Sequence, residues 1–420
     1  MTFKEFILEH ASDDTSRLLF AKGRWPEIDM EQAVTAIECR RKIRSKLPRW
    51  HSEPDIFYPD RLCAEQCSSE ETAGYKARLA AEISGGGRIA DLTGGLGVDC
   101  SAFAAHFKKV LYNEMDSSRA EAARHNFKVL GLDNIEIETF CASKDETALW
   151  ARLKEFSPDI IYIDPARRSA DGSKVFLIEE CSPDVLGLLP QIFSCSKNLM
   201  IKLSPMADIT MVSGRLEANG ADVIEVHCIA SSGECKEVLV LAVKSDGCHK
   251  EHSTVVYDNG NTMRFNRGND GNIPDNSPSL MHNIDEAYGM RYLFEPGKAL
   301  AKSGLFNEIC CFGIRKAGIH THIYFSPEMP SGDIAGFGKT FAIKQILPLS
   351  KKTIKSVGAQ WPECDVTSRN IPMTSDELRK RTGCRSGGKF HLFGLRMDFA
   401  EKQNPGKPRG ENYLVVAERL

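Results

Sequence analysis

Acidic residues and glycines with the spacing of a nucleotide-type ligand site occur in the first third of the chain. Asp91 closes a short apolar run and is followed by a glycine-rich turn. Glycine has no Cβ, so such a turn can bend sharply and bring the backbone close to a ligand. Glu114 follows a second apolar run, 23 residues after Asp91, and a carboxylate there can accept hydrogen bonds from both hydroxyls of a ribose. These residues predict a site for a ligand that contains a nucleoside.

The glycine pattern argues against a dinucleotide. A dinucleotide-binding turn reads G-x-G-x-x-G, whereas Cys100 occupies the third place after Gly95 and Gly97. Asp91 would also repel a pyrophosphate. It could instead hold a cationic amino group, directly or through water, which suits S-adenosylmethionine, a sulfonium that carries an amino acid.

A third acid, Asp164, follows a continuous apolar run of the kind buried in a parallel sheet. In a right-handed doubly wound sheet, the carboxyl ends of the first, second and fourth strands face one crevice. We therefore predict that Asp164 points at the side of the site where a methyl group would be transferred. The alternative is that Asp164 only forms the turn before Pro165.

The elements that must position these acids can be predicted from apolar spacing and turn residues. Ser68 and Glu71 have the spacing of a capping box, which predicts a helix from there to about Ile83. A closing hairpin is predicted from two apolar runs around Ser231-Ser232-Gly233. The predicted parallel strands are 88–91, 110–113, 134–140, 159–163 and 199–203. In the last part of the chain, Gly387-Gly388 predicts a turn into a strand at 390–393.

The motif D-x-T-G-G-x-G, the acid after the next strand and the segment IIYIDPARR together resemble the class I S-adenosylmethionine-dependent methyltransferases. More narrowly, the chain resembles a bacterial group in which the methyltransferase domain precedes a ferredoxin-like segment and a THUMP-like domain. The resemblance implies an α/β fold, a Rossmann-like class I methyltransferase sheet with a helical N-terminal lead-in and a smaller C-terminal α+β region. The implied domains are 1–66 (helical), 67–245 (methyltransferase), 246–349 (linker and ferredoxin-like) and 350–420 (THUMP-like).

The resemblance also implies S-adenosylmethionine as the cofactor. Many relatives bind the adenine with an acid after the third strand, but here the sequence reads Phe140-Cys141-Ala142-Ser143, so Cys141, Ser143 or backbone N–H groups are the candidates. The implied cofactor-binding residues are Asp91, Thr93, Gly94, Gly95, Gly97, Glu114, Met115, Cys141 and Asp164.

The loop after Asp164 departs from the pattern of amino-methylating relatives. Those proteins have D-P-P, whose acid and nearby backbone carbonyl accept hydrogen bonds from the target nitrogen, followed by an aromatic residue that stacks on the base. The resemblance therefore implies Asp164 and Pro165 as the catalytic residues, although Ala166 and Arg167 replace the second proline and the aromatic residue. Base stacking by this loop is therefore not expected. Arg167 and Arg168 could contact phosphate or stack as guanidinium planes, and we predict them as substrate residues.

The C-terminal part of the chain carries the positive charge. Residues 351–420 hold 14 Lys or Arg against 8 Asp or Glu, although the whole chain has a net charge of −3. A THUMP-like domain implies RNA engagement, and Arg379, Lys380 and Arg381 could contact phosphates. The alternatives are that these cations stabilise the end of a helix capped by Thr374 or form an ordinary solvated surface.

The remaining composition bounds the class of protein. Fourteen cysteines without a C-x-x-C pair, and no signal peptide or long apolar run, predict a reduced, cytoplasmic protein that does not enter a membrane. His51, Cys63 and Cys67 do not make a complete metal-ligand set, so we expect no metal. The sequence leaves the oligomeric state open.

These observations predict an enzyme that transfers a methyl group from S-adenosylmethionine to RNA. Two alternatives stay open. The enzyme could methylate a small molecule or a protein, or the chain could be an inactive cofactor- or RNA-binding protein, as the missing adenine acid and the D-P-A-R sequence suggest.

Overall fold

The structure, a computed structural model, describes residues 1–167, 178–247, 252–266, 279–400 and 409–420. Its contacts divide the chain into two compact units. The first comprises Met1–Val226 and Glu237–His252, and the second comprises His227–Lys236 and Ser253–Leu420. None of the helices in these described ranges combines the length and apolar character needed to cross a membrane.

The first unit begins with helices packed around one apolar core that includes Phe6, Ile37 and Trp50. The helices are α1 (Phe3–Glu9), α2 (Thr15–Phe20), α3 (Met30–Ile43), α4 (Pro48–Ser52), α5 (Arg61–Gln66) and α6 (Glu70–Ser84).

The predicted start of α6 is wrong by one residue. The Ser69 side chain, rather than that of Ser68, accepts the capping hydrogen bond, from the N–H of Thr72. The sequence S-S-E-E offers two adjacent serines as caps, and Ser68 is used elsewhere because its hydroxyl contacts the Lys76 ammonium at 2.6 Å.

A sheet follows that contains the strand order β3-β2-β1-β4-β7-β9-β8. Strands β1 to β4 and β7 pair in parallel, and β9 pairs antiparallel with β7. The α/β, Rossmann-like fold predicted from the sequence is therefore confirmed. The strands are β1 (Arg88–Asp91), β2 (Lys109–Asn113), β3 (Ile135–Glu138), β4 (Ile160–Ile163), β5 (Ala166–Arg167), β6 (Cys181–Ser182), β7 (Asn198–Leu203), β8 (Ala221–Ser231) and β9 (Glu234–Lys244).

Helices connect the parallel strands, and the apolar runs of the central strands are buried, as all four residues of β4 show. The chain order reverses direction between β1 and β4, so the crevice at their carboxyl ends is where ligands bind in open α/β sheets. The connecting helices are α7 (Val98–Phe103), α8 (Ser117–Val129), α9 (Thr147–Phe156), α10 (Val185–Cys195) and α11 (Ile209–Ala218).

The second unit contains the hairpin β10 (Ser253–Asp258) and β11 (Asn261–Phe265) and a seven-stranded sheet of order β13-β14-β12-β15-β18-β17-β16. The sheet strands are β12 (Tyr292–Pro296), β13 (Arg315–Lys316), β14 (Tyr324–Ser326), β15 (Gly338–Pro348), β16 (Glu363–Arg369), β17 (Arg385–Phe399) and β18 (Arg409–Arg419). The helices of this unit are α12 (Ile284–Tyr288), α13 (Lys298–Ser303), α14 (Lys351–Gln360) and α15 (Ser375–Thr382).

The strand β17 is longer than the sequence predicts. Gly387-Gly388 predicts a turn before a short strand at 390–393, but both glycines lie inside β17 with φ of 111° and 78°. The pairing register with β16 shifts at this place, between Glu363 and Cys364. The two glycines thus form an irregularity within a strand and do not end it.

Candidate active site

The three predicted acids lie at one edge of the first sheet. Asp91 is the last residue of β1, Glu114 directly follows β2, and Asp164 directly follows β4. Because β4, β1 and β2 are adjacent and parallel, their carboxyl ends meet at the same edge. The structure therefore brings these three residues together.

Thr93 links the loops that follow β1 and β4. Its N–H donates a hydrogen bond of 2.8 Å to Asp91 Oδ1, and its hydroxyl lies 3.3 Å from the same oxygen. The hydroxyl also accepts a hydrogen bond of 2.7 Å from the N–H of Asp164. One side chain thus fixes the position of Asp164 relative to the turn.

The glycines of the turn are required by packing behind it. A Cβ on Gly94 would overlap the ring of Tyr112, and a Cβ on Gly97 would lie 2.6 Å from the ring of Phe127. Gly97 also has a φ of 89°, in the region that favours glycine. Packing against these two rings is therefore enough to account for Gly94 and Gly97.

Glu114 is tied to the turn but keeps capacity for a ligand. Its Oε2 accepts a hydrogen bond of 2.9 Å from the N–H of Gly95, and its Oε1 accepts one of 2.9 Å from the N–H of Asp116. Each carboxylate oxygen has a second lone pair, so the oriented side chain can still accept bonds from two ribose hydroxyls. The residues present fit the nucleoside part of the predicted cofactor.

Asn113, which sequence reasoning missed, positions the candidate adenine loop. This fully buried residue donates from Nδ2 to the carbonyls of Leu92 (3.2 Å) and Phe140 (3.1 Å). Its Oδ1 accepts a hydrogen bond of 2.9 Å from the N–H of Phe140. The turn after β1 and the loop after β3 are therefore joined. The available signal was a polar residue that closes an otherwise apolar strand.

Two further predicted residues flank this arrangement. Met115 follows Glu114 and is 59% exposed. Cys141 follows Phe140 and is also exposed. Both side chains are accessible near the carboxyl ends of β2 and β3.

Asp91 lies beneath the surface of the site. It is 1% exposed, and Cys100 donates to its Oδ2 at a sulfur–oxygen distance of 3.3 Å. Burial raises the pKa of Asp91 to about 7, and the Thr93 N–H opposes that rise. The carboxylate therefore orients the turn and titrates close to neutral pH.

Beside Asp164, the structure holds a group of paired charges that we call the ionic cluster: Lys76, Asp99, Asp164, Lys202 and Glu237. Lys202 of β7 forms an ion pair with Asp164. Lys76 of α6 is fully buried, and its Nζ lies 2.9 Å from Asp99 and 3.3 Å from Glu237.

The cluster balances burial against charge. Burial disfavours charged Lys202, but Asp164, Glu237 and Asp99 together raise the pKa of this lysine. Burial also works against charged Asp99, yet Lys76 and Lys202 outweigh it and lower the pKa of Asp99. Burial raises the pKa of Glu237, which the two lysines only partly oppose. The ionised forms of Lys202 and Asp99 thus depend on each other.

Sequence reasoning missed Lys76, Asp99, Lys202 and Glu237. Lys202 and Glu237 lie within or beside runs of apolar residues that form buried strands. A charge at such a position indicates a buried partner, but nothing in the local sequence identifies that partner.

The predicted substrate residues differ in what the structure shows of them. Arg167 ends β5, and Arg168 lies outside the described residues. At the end of α15, Arg379 pairs with Asp376 at 2.6 Å. Lys380 and Arg381 are exposed, and neither forms an ion pair with another residue in the described ranges.

Within the described ranges, no group of three or more His, Cys, Asp or Glu side chains is arranged to hold a metal ion. None of the 13 described cysteines forms a disulfide bond with another described residue.

Comparison with known proteins adds the family context. Residues 292–332 match a family model described as a ferredoxin-like domain, and residues 338–405 match one described as THUMP domain-like. The chain is similar over its length to the crystal structure of a candidate methyltransferase from Porphyromonas gingivalis W83, with a TM-score of 0.79 and 27% identity. That match covers 99% of this chain and 97% of the other. The chain has a class I methyltransferase fold followed by ferredoxin-like and THUMP-like domains.

A match that covers less of the chain has a lower TM-score. A SAM-dependent methyltransferase from Aquifex aeolicus is 17% identical with a TM-score of 0.33, covering 45% of this chain and 100% of that protein. Comparison with curated proteins gives no match. The basic end of α15, at residues 379–381, lies inside the segment that matches the THUMP-like model.

Proposed function

We propose that this protein is an S-adenosylmethionine-dependent methyltransferase that acts on RNA. The observation that carries the proposal is the shared edge of Asp91, Glu114 and Asp164, joined through Thr93 and Gly95. This edge belongs to a fold that the chain shares over its whole length with a candidate methyltransferase.

The proposed cofactor site uses the turn from Asp91 to Gly97, with Glu114 as the acceptor for the ribose hydroxyls. Thr93 and the buried Asp91 hold the turn in place, and Met115 and Cys141 lie beside the nucleoside. S-adenosylmethionine, when bound, supplies a methyl group. The bond from this methyl group to sulfur breaks and leaves its electron pair on sulfur, while the lone pair of the nucleophile forms the new bond to carbon. The proton of the nucleophile leaves to water.

Asp164 is the proposed catalytic residue, with Pro165 fixing the backbone after it. Its carboxylate, 35% exposed, accepts a hydrogen bond from the N–H or O–H group that is to be methylated. The protein's contribution is alignment, since holding two reacting groups in place removes much of the entropic cost of their meeting.

RNA is the proposed substrate because the THUMP-like match and the positive surplus fall in the same part of the chain. Lys380 and Arg381 are the best candidates for phosphate contacts, since Arg379 already has a carboxylate partner. Arg167 and Arg168 are proposed to contact the substrate at the methyl-transfer site. The four domains given above and a cytoplasmic location belong to the same proposal.

Calorimetry with S-adenosylmethionine and S-adenosylhomocysteine tests the cofactor site. We expect micromolar binding that is weakened at least about tenfold by Glu114→Ala, which removes two hydrogen-bond acceptors, and no comparable binding of ATP or NAD. Absence of binding at high micromolar ligand would exclude a methyltransferase of RNA and equally a methyltransferase of a small molecule or a protein.

Tritium transfer from labelled cofactor tests the substrate. RNA from cells that lack this protein should accept label, and nucleoside analysis would identify the methylated atom. Label that appears only in protein or in small molecules would replace RNA with those substrates. Cofactor binding without any transfer would favour a protein that binds but does not react.

A further inference from the structure

We propose that Lys202 is a positioning residue of the methyl-transfer site: its ammonium holds the Asp164 carboxylate from the interior and aims it, so that Asp164 aligns the nucleophile. This inference rests on the proposed function, since it assigns a role within the same site.

The pairing of two neighbouring strands places these residues together. Ile163 pairs with Ile201 in the parallel register of β4 and β7, so Asp164, directly after β4, lies beside Lys202 of β7. The Lys202 Nζ contacts Asp164 Oδ2. Lys202 is the less accessible partner, with 14% of its side chain exposed against 35% for Asp164. The ammonium therefore holds the carboxylate from the interior, and the carboxylate faces the crevice.

The surroundings make this contact necessary. Asp91, Tyr162 and Glu237 interact electrostatically with Asp164. Asp99 interacts with Lys202, the partner of Asp164.

The other lysine of the cluster is already committed. Lys76 lies between Asp99 and Glu237, and the hydroxyl of Tyr162 donates to Asp99 at 2.9 Å. Without the charge of Lys202, one ammonium would face three carboxylates of the cluster. Like charges in a site of low exposure raise carboxyl pKa values, so Asp164 would take up a proton closer to neutral pH.

The ion pair with Lys202 determines how Asp164 acts. An ionised carboxylate has only acceptor oxygens, so the paired side chain can orient an N–H or O–H group of the substrate. The neighbours of Lys202 raise the pKa of its ammonium, so Lys202 keeps its own proton. A neutral nucleophile can then react through its lone pair, and its proton leaves to water after the new bond has formed.

Three variants test the role of Lys202. Lys202→Met removes the charge at similar length, Lys202→Arg retains it, and Lys109→Met removes a lysine of the surface pair Lys109–Glu136. Cofactor affinity, measured by calorimetry, should change less than about twofold in all three, because Lys202 contacts Asp164 and not the turn. This readout reports on the cofactor site separately from the new inference.

The pH dependence of kcat between pH 5.5 and 9 is the decisive activity readout. At pH 7 we expect a loss of at least about tenfold in Lys202→Met, whose kcat should then rise with pH more steeply than that of the wild type. Lys202→Arg should recover to within about threefold of the wild type. A Lys202→Met protein with wild-type rate, or one that is slow with an unchanged profile, would overturn the proposal.

A second readout needs no methyl transfer. In protein labelled with carbon-13 at aspartate carboxyls, the Asp164 signal can be assigned by its loss in Asp164→Asn and titrated in wild type and Lys202→Met. We expect the Asp164 pKa to be higher in Lys202→Met by at least about one unit. An equal Asp164 pKa in wild type and Lys202→Met would overturn the inference, even if the proposed function failed. A clearly higher Asp164 pKa in Lys202→Met would support the inference, whatever the substrate is.

Discussion

The ionic cluster of the first unit and the basic end of α15 in the second unit use charge in opposite ways. In the cluster, each side chain forms an ion pair with another member. Lys76 and Glu237 are almost fully buried. At the end of α15, Lys380 and Arg381 are exposed to solvent. Buried charges depend on individual partners, whereas solvent and salt screen exposed charges. The ionic cluster therefore suits one defined chemical step, whereas the basic end of α15 suits additive attraction to a polyanion.

Removing the buried lysine should have the largest effect. Lys76→Met would leave Asp99 and Glu237 without the ammonium that lies 2.9 Å and 3.3 Å away, and should lower the free energy of unfolding by about 3–5 kcal/mol. Denaturant unfolding of the full chain measures this change in the free energy of unfolding. The exposed-pair variant Lys109→Met should cost less than about 1 kcal/mol. Equal losses in the two variants would remove the distinction between buried and exposed charge.

The catalytic acid should have the next largest effect. Asp164→Ala should lower kcat for methyl transfer by about 100- to 1000-fold, the size expected for loss of one oriented charged group, with cofactor affinity nearly unchanged. Steady-state transfer and calorimetry measure the two quantities. Asp133→Ala, an exposed acid before β3, is the matched control. Unchanged transfer in Asp164→Ala would refute the catalytic assignment.

Asp91 allows a test of how burial of a carboxyl group changes stability with pH. Its folded-state pKa of about 7 lies above the ordinary value, so its contribution to stability is fully present below about pH 4 and is lost as pH rises through 7. Asp91→Asn keeps the shape and removes the titration. Between pH 6 and 8 the stability of the wild type should fall relative to Asp91→Asn by about 1.4 kcal/mol.

Thermal or denaturant unfolding of the two proteins at both pH values measures this difference. A constant difference between wild type and Asp91→Asn would show that Asp91 does not titrate in this range.

The α15 cations should have the smallest effect on folding. Replacing both Lys380 and Arg381 by Ala should change the free energy of unfolding by less than about 0.5 kcal/mol. RNA affinity should nevertheless fall, and the slope of log K against log salt should become less steep by about 1.4 for two lost phosphate contacts on a single strand.

A charge-matched double variant of the first unit, Lys108→Ala with Lys109→Ala, serves as the control for this experiment. If it lowers the salt slope equally, the effect comes from net charge and not from the end of α15.

The sequence predicted the acids and the turn because each follows a local apolar run. Asp91, Glu114 and Asp164 could be placed at strand ends, and parallel topology then implied a common edge. The ionic cluster could not be found in this way, because Lys76, Asp99 and Lys202 are far apart in the chain and meet only after folding. The charge of Lys202 within an apolar run signalled a partner but did not identify Asp164.

The local errors have similar causes. Ser68 and Ser69 are adjacent candidate caps, and only the contact of Ser68 with Lys76 decides between them. The glycine pair at 387–388 has the composition of a turn, yet the flanking residues Arg385 and Phe390 both pair with β16, which keeps the glycines inside one irregular strand. In both cases a tertiary contact overrides a valid local signal.

The central claim is that strand-end carboxylates of the first sheet hold a sulfonium nucleoside. A crystal structure with S-adenosylhomocysteine tests it most directly. We expect the ribose hydroxyls within hydrogen-bonding distance of the Glu114 carboxylate and the sulfur on the side of Asp164 and Lys202. A ligand bound elsewhere, or bound at this edge with its ribose away from Glu114, would contradict the account.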